Sequence, residues 1–143
     1  MNKVLKSTIG WVLYIALLIG LVYGIPEGLA YVLKTEHPMA SITSGSMWPE
    51  LKKGDLILIK GIDGKEEINI GDVIVYSNIK GFTIHRVIEM NEDSLVTKGD
   101  ANNVKDSPIK YEEIIGKALT INEKPLRIPF LGIISVFINK DKL

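Results

Sequence analysis

The longest apolar run of the chain lies near its N-terminus. Residues 7–26 contain no charged side chain, and as an α-helix this stretch would reach about 30 Å, the thickness of the hydrocarbon core of a bilayer. Trp11, Tyr14 and Tyr23 lie near the ends of the run, where membrane helices carry aromatic side chains. A cleaved signal peptide has a shorter apolar core, and a helix of a soluble domain keeps a polar face toward water. We therefore predict a single transmembrane anchor within residues 1–33.

Charged residues flank this run unequally. Lys3, Lys6 and the α-amine precede it, and Glu27 follows it. Because basic flanks stay in the cytoplasm, we predict a cytoplasmic N-terminus and an extracytoplasmic domain after the anchor. Residues 29–33 could carry the helix to the membrane surface. Pro38 then marks its end, since the residue before a proline avoids helical backbone angles.

After residue 33 the pattern changes to short β-branched runs separated by Gly, Asn and Asp. Runs of this length and spacing are typical of a β-sandwich or a small β-barrel. We therefore predict a mainly β domain over residues 34–143. Its predicted strands cover residues 39–43, 55–60, 72–77, 82–90, 94–98 and 114–122.

The C-terminal part of this domain holds a second apolar segment. Residues 128–138 are uncharged and lie between Arg127 and Lys140. This segment is too short to span a bilayer by the usual measure of about 20 residues. We expect a core segment or an apolar patch that touches lipid; the alternative is a re-entrant or second membrane helix.

Composition excludes several classes of function. The chain has 143 residues, about one domain, with 46% hydrophobic and 24% charged residues, as in a globular protein. Its 17 basic and 17 acidic residues cancel, so no net field attracts nucleic acid. The absence of cysteine excludes disulfides and a thiol nucleophile. No cluster of metal ligands is visible, and we predict neither a metal nor a cofactor.

The string S-G-S-M-W-P at residues 44–49 is the candidate reactive segment. It contains two hydroxyl groups, but a serine hydroxyl is a weak nucleophile at neutral pH and needs a base. For Ser46 that base could be His85, in the middle of a predicted strand. It could also be a lysine of lowered pKa, such as Lys60 or Lys98.

An orienting carboxylate would complete such a site. Asp100 and Asp106 lie in a Gly/Asn-rich loop over residues 98–106, which can reach back to a neighbouring strand. Taken alone, this loop fits ordinary turn residues. Together with Ser46 and His85 it offers a nucleophile, a base and a carboxylate, in one of the several chain orders in which such triads occur.

These segments together resemble a known family. Residues 44–49 resemble the S-x-S-M-x-P motif of type I signal peptidases, and residues 84–87 (I-H-R-V) resemble the H-R-V box of the archaeal and endoplasmic-reticulum branch, where histidine replaces lysine. Residues 98–106 resemble the K-G-D-N-N-x-x-D-D box of that branch, and residues 128–134 resemble its closing apolar segment. The departures from the pattern are Ala101 and Lys105.

The resemblance implies a role for each residue. Ser46 would attack the scissile carbonyl, His85 would accept its proton, and Asp106 would orient His85, with Asp100 as the second candidate. The other implied site residues are Ser44, whose hydroxyl would face the oxyanion with the Ser46 N–H, and Met47, which would shape the substrate pocket.

The resemblance also implies a fold, substrates and a location. The fold would be the small β-sandwich or barrel-like catalytic domain of signal peptidases. The substrates would be exported preproteins cut after small residues. The chain would lie in the cell membrane, or in the endoplasmic reticulum membrane of a eukaryote, with the translocon or accessory subunits as further partners. A non-catalytic membrane-tethered β domain that binds exported proteins or the translocon is the alternative from another class.

Overall fold

The computed structural model describes residues 3–79 and 81–133. Its first element is helix α1, Lys3–Leu33, in which Leu5–Leu33 is long and apolar enough to cross a membrane. The helix continues through Pro26 and ends at Leu33. The next residue, Lys34, has a φ of 51°, the left-handed conformation that closes many helices. The predicted apolar N-terminal helix is therefore confirmed.

A β domain follows the helix. Its described strands pair antiparallel throughout, as short loops rich in Gly, Asn and Asp allow. They are β1 Met39–Ser41, β2 Leu56–Lys60, β3 Val73–Asn78, β4 Gly81–Met90, β5 Ser94–Lys98, β6 Ile109–Lys110, β7 Ile114–Ala118, β8 Thr120–Ile121, β9 Lys124–Pro125 and β10 Arg127–Ile128.

The strands form one large sheet and one small one. The large sheet has the order β1-β2-β7-β3-β4-β5-β6, with β10 also paired to β2. The small sheet contains β8 and β9. Strand β4, which carries His85, therefore lies between β3 and β5. The mainly β fold predicted from the sequence is confirmed.

Strand β3 lies inside the sheet and is buried on both faces. Successive residues of a strand point to opposite faces, and the buried side chains of β3 accordingly divide between two hydrophobic clusters. The first cluster contains Ile42, Met47, Leu51, Ile57, Ile59, Val73, Val75 and Ala118. The second contains Ile68, Ile74, Tyr76, Val87, Leu95 and Ile109.

The C-terminal end of the helix is joined directly to the end of β2. The Gly61 N–H donates a hydrogen bond of 2.8 Å to the Leu33 carbonyl oxygen. A β-carbon at position 61 would collide with the Lys34 carbonyl oxygen. The Lys34–Asp63 ion pair of 3.0 Å is largely exposed and adds little. The backbone bond therefore holds the joint, and the absence of a side chain at Gly61 permits the close approach.

One predicted strand is wrong in its extent. The pattern over residues 114–122 predicts one strand, but the structure ends β7 at Ala118 and begins β8 at Thr120. The chain then reverses at Asn122 and Glu123, whose φ angles are 52° and 66°. Strands β6, β9 and β10 have two residues each and carry no pattern that sequence reasoning could detect.

The apolar C-terminal segment begins as part of the sheet. Ile128 belongs to β10, and Gly132 donates from its N–H to the Gly54 carbonyl oxygen at 2.9 Å. Between them Phe130 and Leu131 are exposed, as an apolar surface patch would be. The rest of the predicted segment 128–138, from residue 134 onward, lies outside the described residues.

Candidate active site

The turn that contains Ser46 is held in place by buried apolar side chains. Met47 and Leu51 are buried in the first hydrophobic cluster, and the Leu51 N–H donates to the Met47 carbonyl oxygen at 2.9 Å. Trp48 between them is exposed. The apolar residues of the motif thus fasten the turn to the core, while its serine hydroxyls remain at the surface.

The two serine hydroxyls of this turn contact each other. Ser44 Oγ lies 3.1 Å from Ser46 Oγ and 3.5 Å from the Ser46 backbone nitrogen. Ser46 is half-buried, and Ser44 is exposed. Ser44 therefore lies beside both the hydroxyl and the N–H of Ser46.

His85 and Asp106 form a close pair. His85 Nδ1 lies 2.6 Å from Asp106 Oδ2, and the histidine is buried. This contact occupies Nδ1 and leaves Nε2 as the ring nitrogen that can serve as a base. The arrangement is that of a histidine held by a carboxylate, as in serine hydrolase triads.

Asp100, the second candidate for this role, pairs with a different residue. Arg86 Nε and Nη2 donate to Asp100 Oδ1 and Oδ2 at 2.8 and 2.7 Å, and Arg86 Nη1 donates to the Gly71 carbonyl oxygen at 2.8 Å. The hydrogen bonds that Arg86 donates to Asp100 raise the pKa of Arg86, and burial partly offsets this rise. Because Arg86 follows His85 in β4, its side chain points to the opposite face. Asp100 therefore fixes the loop and not the histidine.

The loop after β5 also contacts the serine turn through a backbone hydrogen bond. The Ala101 N–H donates to the Ser46 carbonyl oxygen at 2.8 Å. A β-carbon at Gly99 would lie 2.7 Å from that same oxygen, so glycine permits the close approach. The loop that carries Asp100 and Asp106 thus holds the backbone of Ser46 directly.

Ser46 and His85 border the same cleft. Its volume is about 570 Å³, and its walls come from β1, the serine turn and the first half of β4. The described hydrogen bond of the Ser46 hydroxyl is with Ser44, a looseness common in catalytic groups without substrate. The lining residues are Met39, Ala40, Ser41, Ile42, Thr43, Ser44, Ser46, Met47, Phe82, Thr83, Ile84, His85 and Asn102.

Comparison with known proteins decides the family. Residues 22–119 match the family described as Peptidase S24-like. The signal peptidase complex catalytic subunit SEC11 of Sclerotinia sclerotiorum is 30% identical over 145 residues, covering 90% of this chain and 80% of the relative. The SEC11 subunit of Metarhizium robertsii is 30% identical over 129 residues, covering 80% and 71%. The chain belongs to the type I signal peptidase family.

Membership in the signal peptidase family confirms the predicted class of activity. The chain is a membrane-associated serine peptidase that removes signal peptides, and the resemblance seen in its motifs is correct. The alternative of a non-catalytic tethered β domain is not supported. The roles of individual residues remain predictions, to which the geometry above gives a physical basis.

The lysine alternatives do not fit this signal peptidase site. Lys60 Nζ forms an ion pair of 3.0 Å with Glu67, and neither Lys60 nor Lys98 is among the residues that line the cleft. The described groups thus favour histidine as the base.

No group of metal ligands was found among the described residues. Across residues 3–79 and 81–133, no three His, Asp or Glu side chains lie close enough together to hold a metal ion.

Two residues near Asp106 were missed by sequence reasoning. Thr97 Oγ1 donates to Asp106 Oδ2 at 2.6 Å, and the Tyr76 hydroxyl donates to the same oxygen at 3.3 Å. Thr97 directly precedes the K-G-D box, and this position is only a weak indication of a functional residue. Tyr76 looks like any inward residue of a strand, and only the fold brings it to Asp106.

Proposed function

We propose that this signal peptidase cuts with Ser46 as the nucleophile, His85 as the general base and Asp106 as the residue that orients His85. The observation that carries the proposal is the 2.6 Å contact of His85 Nδ1 with Asp106 Oδ2, together with the shared cleft of His85 and Ser46. The contact holds the ring so that Nε2 is free to accept a proton.

The reaction would begin with a rotation of the Ser46 side chain. Its hydroxyl leaves Ser44 Oγ and donates to His85 Nε2. As the proton passes to His85, Ser46 Oγ bonds to the scissile carbonyl carbon and forms a tetrahedral intermediate. His85 then gives the proton to the leaving amine, and an acyl-enzyme remains. Water then attacks the acyl carbon as His85 takes its proton, and His85 returns a proton to Ser46 Oγ when the bond to the signal peptide breaks.

The negative oxygen of the intermediate needs hydrogen-bond donors. The Ser46 N–H and the Ser44 hydroxyl adjoin each other, and the cleft reaches both residues. We assign them as the oxyanion hole. In well-studied hydrolases one such donor is worth about 10²–10³ in kcat, so loss of the Ser44 hydroxyl is expected to slow the reaction without abolishing it.

The cleft suits an extended peptide. Strand β1 ends the described sheet order, so one of its edges carries no described partner strand. In β4, pairing with β5 begins at Arg86, which leaves the Gly81–His85 half bonded to β3 alone among the described strands. A preprotein can add a strand between these edges. Shallow apolar walls from Ile42 and Met47 would then select small side chains before the cut.

We further propose the membrane arrangement and the partners. Helix α1 would cross the bilayer with the N-terminus in the cytoplasm, because Lys3 and Lys6 precede its uncharged run and Glu27 follows that run. The β domain would lie outside the cytoplasm, at the cell membrane or in the endoplasmic reticulum. Relatives are named as catalytic subunits of a signal peptidase complex, so accessory subunits and the translocon are the partners to seek beside exported preproteins.

Cleavage of a preprotein by the full-length chain in proteoliposomes tests the nucleophile. The parent and Ser77→Ala, which makes the same change at an exposed serine of β3, are expected to release mature product. Ser46→Ala is expected to release none. Equal processing by Ser46→Ala would falsify Ser46 as the nucleophile. The same assay with His85→Ala tests the base, and full retention of cleavage would remove the histidine from the mechanism.

A further inference from the structure

The immediate surroundings of Asp106 assign a function to two buried hydroxyl groups. We propose that Thr97 and Tyr76 are positioning residues of the signal peptidase reaction, because they hold the Asp106 carboxylate in the orientation that His85 requires. The inference rests on the proposed function of His85 and Asp106. It adds two side chains that lie outside the recognised motifs.

Three donors converge on a single oxygen atom. Asp106 Oδ2 lies 2.6 Å from His85 Nδ1, 2.6 Å from Thr97 Oγ1 and 3.3 Å from the Tyr76 hydroxyl. A carboxylate oxygen that receives several donors loses the freedom to rotate away from any one of them. Thr97, with its short contact, is therefore the stronger restraint, and Tyr76 is the weaker one.

The two hydroxyl groups are buried deeply enough for these bonds to matter. Thr97 is 0% exposed and Tyr76 is 4% exposed, so water cannot readily replace Asp106 as their partner. Burial raises the pKa of the Tyr76 phenol, the Thr97 hydroxyl 3.5 Å from the phenol oxygen lowers it, and the charge of Asp106 raises it again. Tyr76 thus stays a neutral donor at physiological pH.

The sheet builds this arrangement from three neighbouring strands. His85 lies on β4, Tyr76 on β3 and Thr97 on β5, and β4 pairs with both of the others. Thr97 restrains Asp106 at a second point, because its carbonyl oxygen accepts the Asp106 N–H at 2.8 Å. Asp106 itself comes from a loop, and the sheet supplies the rigidity that the loop lacks.

The restraint has two chemical consequences. It keeps the proton of neutral His85 on Nδ1, so that the Nε2 lone pair faces the substrate side. It also divides the negative charge of Asp106 among three donors. Removal of one hydroxyl leaves more of that charge on the His85 contact, and the carboxylate then holds the proton of the imidazolium more strongly.

Steady-state kinetics of the full-length enzyme in detergent test the proposal. With a preprotein substrate, Thr97→Val is expected to lower kcat about tenfold, the equivalent of one charged hydrogen bond, while KM changes little. Tyr76→Phe is expected to lower kcat about threefold, because its bond is longer. In both variants the acidic limb of the pH profile of kcat/KM is expected to move to higher pH.

Two variants control for packing. Thr97→Ser restores the hydroxyl and is expected to recover most of kcat and the parental pH profile. Tyr111→Phe removes a tyrosine hydroxyl that donates to the Asn91 carbonyl oxygen, away from the cleft, and is expected to leave both unchanged. Thermal unfolding of each variant shows whether a fall in kcat merely follows a loss of folded protein.

Defined results would overturn the inference. If Thr97→Val and Tyr76→Phe keep the parental kcat and pH profile while His85→Ala and Asp106→Asn are inactive, the proposed function stands and the positioning function fails. If Thr97→Ser is as slow as Thr97→Val, the hydroxyl is not the cause. If Asp106→Asn retains activity, the proposed function itself fails. Should Thr97→Val not fold, Tyr76→Phe alone decides through its pH profile.

Discussion

Two successive side chains of β4 serve two different aspartates. His85 faces Asp106 and Arg86 faces Asp100, because alternate residues of a strand point to opposite faces. The first pair belongs to the proposed reaction, and the second secures the loop that reaches Ser46. Both carboxylates can therefore matter to activity, for different physical reasons.

Asparagine substitutions are expected to separate these two aspartates. Asp106→Asn removes the charge that holds the histidine proton on Nδ1, and kcat is expected to fall by about 10⁴, as for the orienting aspartate of a well-studied serine protease. Asp100→Asn leaves one side-chain oxygen to accept from Arg86, and kcat is expected to fall far less. Single-turnover cleavage of a preprotein measures both effects. An equal loss in the two variants would contradict the separate roles.

At Gly99, the addition of a single methyl group is expected to displace the nucleophile Ser46. Its β-carbon would lie 2.7 Å from the Ser46 carbonyl oxygen, so Gly99→Ala must displace one of the two loops. A misplacement of about 1 Å near a reacting group can cost about 10² in rate. The expected outcome is a folded protein with strongly reduced kcat. Gly28→Ala, where nothing lies within 4 Å of the added carbon, is the control.

Tyr76 makes stability depend on alkaline pH. Burial raises the pKa of its phenol in the folded protein above the ordinary value, so the unfolded chain ionises first as the pH rises. The stabilisation is complete below the unfolded value of about 10 and is lost as the pH rises through the folded value. Tyr76→Phe is expected to lose stability less steeply above pH 10, as thermal unfolding followed by circular dichroism would show. Parallel curves for variant and parent would refute this expectation.

Strand β1, which borders the cleft, has backbone groups that no described strand pairs with. The Ile42 N–H donates to the Asp55 carbonyl oxygen in the direction of β2. Backbone groups alternate in direction along an antiparallel strand. The N–H and carbonyl of Ser41 accordingly point to the open edge, and Ser41 lines the cleft. A substrate strand would use these two groups.

Ser41→Pro tests this use of β1. Proline removes the N–H that faces the cleft, and loss of one hydrogen bond of about 1 kcal/mol corresponds to a several-fold rise in KM. Ser41→Ala removes the side chain and keeps the N–H, so its KM is expected to match that of the parent. Equal KM values for proline and alanine variants would exclude strand addition at this residue.

The same strands show what sequence could and could not predict. The longer ones were placed correctly because β-branched runs between turn residues are visible without a fold. The predicted strand over residues 114–122 was wrong because an apolar pattern continues through Leu119 while the chain turns onward to β8 and β9. Motifs singled out Ser46, His85 and Asp106 as candidates, but Tyr76 and Thr97 come together only through the pairing of β3 and β5 with β4.

At the scale of the whole molecule, the joint between helix and β domain links the two parts of the chain through the Gly61–Leu33 backbone bond. Gly61→Ala would force its β-carbon against the Lys34 carbonyl oxygen and move the domain relative to the helix. We expect this variant to cleave a short soluble peptide at the parental rate and a bilayer-embedded preprotein more slowly or at a different bond. Mass spectrometry of the mature product measures the cut position. Unchanged cutting of both substrates would show that the joint is not a constraint.

In the proposed membrane arrangement, this joint would give the enzyme a way to measure length. With helix α1 across the bilayer as proposed, the backbone bond from Gly61 to Leu33 would hold the cleft at one height above the point where the helix leaves the lipid. A signal peptide whose own apolar helix sits in the same bilayer must present its cleavable bond at that height. The helix and the joint together would then set the distance between the lipid surface and Ser46. Choice of the bond to cut would then depend on the distance from the lipid surface as much as on the side chains beside it.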